Sequence, residues 1–476
     1  MKYLHNILFL AASIGMLSLT SCKKWLDVRP KTEVKESEQF STEQGFKDAL
    51  YGTYQKAADG QLYGENLTFG FLEVLSQGYE STTKIDHDFF YSATYQYNNA
   101  GVTSRINSIW NNMYSTIAQT NYILKNIDDR KSLFTGNNYS IIRGEALALR
   151  AFLHFDLLRL YAPSPKSDVT ATAIPYMTAF TVTPQARLKV GEVIAACEKD
   201  LKEAEALLRV YPQMSNPSGN DDFLAFRSNR MNYWAVKAIL ARLYLYNNDR
   251  VHALAYAKDI INSNNFRFIT SAELNAAAKD LNRTFTPEHI FAIYVAKLKD
   301  PVSSYFMMAT GDKLYRKFTI TEDRRKALFE VSTGGGTDLR FVSNSLWSAS
   351  NGIIFPSKLW QIDENREELK KRIPVLTLSE MYYIAAESEP LTADGLKWLN
   401  KVRSARNIAE LPAGIDATTL QNEIFKEYRK DFICEGQLFY YYKRINRNKI
   451  EGALNSNISN DQYVLPLPQQ EIEFGK

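Results

Sequence analysis

The sequence predicts a mainly α fold, in which helical hairpins pack against an irregular, loop-rich half holding few short strands. Three observations carry this. Apolar residues recur at helical spacing through three blocks, about 40–58, 104–263 and 376–445. Within the blocks, consecutive helices meet across tight turns such as Asn247-Asn248. Between them, about 60–100 and 264–375 lose the period and gather Gly, Asn, Thr and aromatic residues, the composition of insertions that carry a site.

Taken in order, residues 41–57 open at Ser41 or Thr42, either suited to an N-cap, and set Phe46, Leu50 and Tyr54 on one face. Residues 104–127 repeat the pattern with Ile106, Trp110, Met113, Ile117 and Leu124. Residues 141–161 do so with Ile142, Ala146, Leu149, Leu153 and Leu160, and Pro163 stops them. A helix over 190–209 ends before Tyr211-Pro212, and helices over 230–247 and 250–263 form an αα-hairpin. Ala235, Ala238, Ala241, Ala253 and Ala257 let its two arms approach closely, and stacked hairpins of this kind resemble tetratricopeptide repeats. A third set spans 378–389, 393–407 and 418–434, the last opened by a Thr418–Gln421 capping box. Ile290–Val295 leans towards strand, Ser332–Thr337 reads as a flexible turn, and the rings of Phe439–Tyr442 fill the gap between hairpins.

The first residues predict a compartment. Lys2 precedes an apolar run from Ile7 to Leu19, the layout of a secretion signal and too short to span a bilayer comfortably. Leu19-Thr20-Ser21-Cys22 then sets small residues before a thiol able to carry diacylglycerol. The expectation is a lipoprotein signal over 1–21, lipidation at Cys22, and a single domain over 22–476 that begins with a polar tether. Residues 22–476 hold 56 basic and 53 acidic side chains, a net +3 with no dense basic stripe, so nucleic acid is not an expected partner. Cys197 and Cys434 make no disulfide framework, and Cys197 falls on an apolar helix face.

Catalytic signatures are sparse. No two of the five histidines stand at metal-ligand spacing, and Gly334–Gly336 lacks the Lys-Ser/Thr of a phosphate loop, so no catalytic residue, metal or cofactor is expected. Asp86-His87-Asp88 reads as a solvated loop, because adjacent residues splay apart while Ca²⁺ asks for roughly six to eight oxygens. Glu387 with Glu389, and Glu423 with Glu427, read as exposed helix faces rather than a glycosidase pair.

Trp25–Pro30, with a Leu-Asp-x-x-Pro pattern, and Trp110, Tyr114, Ile117 and Asn121, spaced as Trp-x3-Tyr-x-x-Ile-x-x-x-Asn, are ordered motifs by which the chain resembles the SusD/RagB family of outer-membrane nutrient-binding lipoproteins. Glu145–Tyr161, Lys237–Tyr246, Leu376–Glu387, Leu399–Arg403, Glu427–Arg444 and Leu465–Pro468 are similar to its later segments. Thr377, Ser379, Leu438, Tyr441, Ala162 and Gly475 depart from the usual residues, mostly at packing positions. The resemblance implies a tetratricopeptide-like half beneath a loop-rich half. It implies a binding protein, not an enzyme, that captures an oligosaccharide or peptide and delivers it to a SusC-like TonB-dependent outer-membrane transporter from the cell surface. A surface glycoside hydrolase, or a helical scaffold or adhesin without a small ligand, are the competing readings.

Sugars offer flat C–H faces to rings and hydroxyls to amides, so a site joins aromatics with Asn, Gln, Asp or Arg. Phe89–Asn99 has that composition in a region expected to be non-helical, and supplies Tyr91, Tyr95, Tyr97 and Asn98 as ligand-binding candidates. The family's second ligand loop corresponds to a region holding Tyr305, Tyr315, Trp347 and Asn351. The competing role for any one of these rings is packing.

Overall fold

A computed structural model describes residues 36–181, 183–216, 222–306, 317–343, 345–350, 352–454 and 457–475. The expected leader and Cys22 lie outside them. The first long helix, α1 (Glu43–Ala57), starts where Thr42 Oγ1 accepts the Gly45 N–H at 3.1 Å. Then come α2 (Ala100–Ile127), α3 (Asn138–Tyr161), α4 (Val190–Leu208), α5 (Tyr233–Tyr246) and α6 (Arg250–Asn262). Neighbours in sequence pack as neighbours in space: α1 on α2, α2 on α3, α3 on α4, α5 on α6. The expected hairpins are present, and Ala235, Ala238, Ala241, Ala253 and Ala257 are all buried along the α5–α6 seam.

Strand β1 (His289–Tyr294) follows, then α7 (Lys299–Phe306), a short hairpin of β2 (Trp347–Ser350) and β3 (Ile353–Pro356), and β4 (Arg372–Thr377). β1 runs antiparallel to β4, with Ile293 opposite Ile373 and Tyr294 opposite Arg372. Helices α8 (Leu378–Ser388), α9 (Thr392–Ala405), α10 (Ala417–Asp431) and α11 (Gln437–Arg444) complete the scaffold, with α8 packed on α6. All four rings of Phe439–Tyr442 are buried, as are the unpaired thiols of Cys197 and Cys434.

Four expectations need correcting. α10 begins two residues earlier than the Thr418–Gln421 box implied, because Asp416 caps it by accepting the Thr419 N–H at 2.6 Å. Residues 89–99 are not wholly irregular: Phe90–Ala93 closes one helical turn. Glu387 and Glu427 are buried rather than on exposed faces, since Arg444 holds Glu387 at 2.7 Å and Arg340 holds Glu427 at 2.6 Å. Likewise, in Asp86-His87-Asp88 only the acids are exposed; His87 is buried beside the Lys317 carbonyl, and burial lowers its pKa.

The buried ion pairs link segments far apart in sequence. Arg242 on α5 meets Glu380 on α8 through two bonds of 2.7 and 2.6 Å, and Arg150 on α3 meets Asp200 on α4 through two of 2.7 Å. Arg340 gathers Asp338, Glu427 and Asp431, while Arg406 takes Glu288. Charges taken out of water persist where they are paired and hydrogen-bonded, as these are. Among the described residues no helix is long and apolar enough to cross a membrane.

Candidate functional site

A cavity of about 800 Å³ opens where α1, the 58–65 turn, the 222–230 loop and the β1–α7 connection converge. Each segment contributes for a local reason. On α1, Phe46, Leu50, Thr53 and Ala57 face the core, which turns Tyr51, Tyr54, Gln55 and Ala58 (spaced three and four apart) towards the cavity. On β1 every residue is buried up to Tyr294, where the strand emerges. Phe226 holds φ +51, a left-handed conformation unfavourable for a bulky residue, and its ring stays 48 % exposed on the cavity wall. Tyr51 and Tyr294 are 39 % and 41 % exposed there, giving three accessible rings around one hollow.

Behind the rings the wall is held by a polar cluster. Glu145, fully buried on α3, accepts the Tyr54 hydroxyl at 2.6 Å, Arg227 Nη1 at 2.7 Å and Arg230 Nε at 3.0 Å. The same Tyr54 oxygen accepts the Met231 N–H at 2.7 Å, and burial pushes that phenol's pKa well up. The Arg230 guanidinium stacks 4.2 Å over Phe223 and 5.1 Å over Tyr51. Although burial opposes its charge, Glu145 beside it raises its pKa on balance. Asn232 donates to the carbonyls of Arg227 at 3.0 Å and Ile290 at 2.9 Å, tying this loop to β1. A surface so braced is preorganised, which lowers the entropy cost of binding.

Polar groups stand between the rings: Gln55, Asp59, Asp222 and Asp300 are exposed on the wall. Glu65 also lines it and accepts the Tyr305 hydroxyl at 3.2 Å; burial raises its pKa. Tyr305 is thus the sequence-derived candidate connected to the cavity, stacked 4.6 Å on Phe318. Arg105 lies beyond it, 4.2 Å over Phe89, its pKa lowered by burial against the opposing pull of Tyr305, Glu65 and Asp88.

The other candidates are dispersed. Tyr91 is 43 % exposed and Asn98 is exposed. Tyr95 is buried, donating to the Leu75 carbonyl at 2.8 Å and accepting from Gln77 at 3.2 Å. Tyr97 is half-buried and donates to the Gln462 carbonyl at 2.5 Å. Trp347 is buried, its indole N–H on the Arg340 carbonyl at 2.9 Å. Tyr315 and Asn351 lie outside the described residues. Sequence reasoning missed Tyr51, Phe226 and Tyr294; a large ring on the outward side of α1, and another closing an apolar strand, were the available signals. Among the described residues no cluster of His, Cys, Asp and Glu suits a metal.

Residues 24–245 match the SusD-like family described as "Starch-binding associating with outer membrane". In fold, the chain is similar to a SusD superfamily protein from Bacteroides thetaiotaomicron VPI-5482, with TM-score 0.70 and 23 % identity over 91 % of this chain and 98 % of that one. A SusD-like carbohydrate binding protein from Bacteroides vulgatus ATCC 8482 aligns with TM-score 0.68 and 19 % identity, over 91 % and 96 %. A laminarin binding SusD-like protein aligns with TM-score 0.66 and 17 % identity, over 91 % and 98 %. No curated protein matches in sequence. Residues 24–245 are thus similar in sequence to the SusD-like family, and nine-tenths of the chain shares the fold of SusD superfamily structures.

Proposed function

We propose that this protein captures an oligosaccharide at the outer membrane and passes it, unhydrolysed, to a SusC-like TonB-dependent transporter, while an acylated Cys22 tethers it to the membrane. The observation that carries the reading is the cavity with Tyr51, Phe226 and Tyr294 exposed on its wall beside Gln55, Asp59 and Asp222. Rings stack on sugar C–H faces, and the amide and carboxylates between them accept hydroxyl hydrogens. The carbohydrate-binding and laminarin-binding relatives of the same fold support a sugar over a peptide. Delivery and anchoring rest on the family resemblance and on the Leu19–Cys22 motif.

Incubation of the purified protein with a glycan panel, with binding read by calorimetry and new reducing ends read chemically, tests this. Binding without cleavage is the expected result. Sustained release of reducing ends makes the protein a hydrolase instead, and binding to peptides alone removes the sugar.

A further inference from the structure

We infer that the cavity is selective for uncharged oligosaccharides and turns away uronate-bearing or sulfated ones; this rests on the carbohydrate-binding reading above and adds the charge class of the ligand. The wall carries three exposed carboxylates, Asp59, Asp222 and Asp300, against one exposed cation, Lys297. Among the described residues neither Asp222 nor Asp300 has a basic partner within ion-pair distance. Arg230 does not redress the balance, since Glu145 already takes its Nε at 3.0 Å. Glu65 adds a fourth acid to the wall, where it accepts the Tyr305 hydroxyl at 3.2 Å.

Against the rings, a neutral pyranose also presents C–H faces without having to strip hydration from an ionised substituent.

The test is a matched pair on the full protein. Glucan and xylan hexasaccharides are titrated beside a galacturonate hexasaccharide and a sulfated galactan hexasaccharide, at about 20 mM and about 500 mM salt. The expected result is at least one neutral ligand binding, with both anionic ones at least about tenfold weaker at low salt. That gap narrows at high salt, where mutual repulsion is screened. In an Asp222→Asn/Asp300→Asn protein the gap narrows already at low salt. Anionic glycans binding as well as neutral ones overturn the charge selection and leave the carbohydrate-binding reading standing. A gap unmoved by salt and by the double substitution overturns it too, since shape rather than charge then excludes them. No binding by any of the four overturns both readings.

Discussion

Glu145 meets two guanidinium groups and a phenol with no access to water, and that meeting holds one side of the cavity in place. Glu145→Gln leaves Arg227 and Arg230 buried against a neutral amide, so a loss of about 3 kcal/mol is expected, read as a lowered chemical-denaturation midpoint. Glu73 behaves differently. Among the described residues it has no ion-pair partner, and burial pushes its carboxyl up to about 8 while the Gly436 N–H, 3.2 Å away, favours the charge. An acid whose folded pKa is raised binds its proton more tightly folded than unfolded, so its contribution is present at low pH. It is lost as pH rises from about 4.5 towards 8. Glu73→Gln stays neutral throughout and is therefore expected to gain stability relative to the unsubstituted protein between pH 5 and 8. Denaturation of the two at a series of pH values shows it; a constant difference contradicts the raised pKa.

At the scale of elements, α1 has two jobs on two faces: Phe46 and Leu50 anchor it to the core, and Tyr51 and Gln55 wall the cavity. The helices were legible in the sequence because their information is local. Apolar spacing, Pro163 and the Asn247-Asn248 turn act within a few residues, and the long helices differ from expectation mainly at their ends. The Thr418 cap was misplaced because Asp416, two residues earlier, opens the helix instead, its carboxylate accepting the Thr419 N–H. Asp416→Ala is accordingly expected to lower the thermal unfolding midpoint more than Thr418→Ala does. Equal costs would restore the sequence-derived cap.

Across the whole molecule, the family motifs prove to be mostly interior: Glu145, Arg150, Arg242, Glu380 and Glu427 all close buried ion pairs. They mark the fold but sit behind the cavity rather than on its wall. The cavity draws on residues 51–65, 222–230 and 293–301, brought together by the α1–β1 neighbourhood, the Glu145 cluster and the Asn232 clamp. No local pattern records such a meeting. Composition therefore favoured the ring-rich stretch 89–99, where Tyr95 and Tyr97 prove to spend their hydroxyls on backbone carbonyls.

The central claim is that ligand stacks on Tyr51, Phe226 and Tyr294. It is tested most directly by titrating the best-binding oligosaccharide into a Tyr51→Ala/Phe226→Ala/Tyr294→Ala protein whose helical circular dichroism matches the original. At about 1–3 kcal/mol per stacking ring, by analogy with bases on aromatics, the account predicts a loss of affinity of at least about a hundredfold. Undiminished affinity in that protein, with loss on Tyr91→Ala instead, would contradict it.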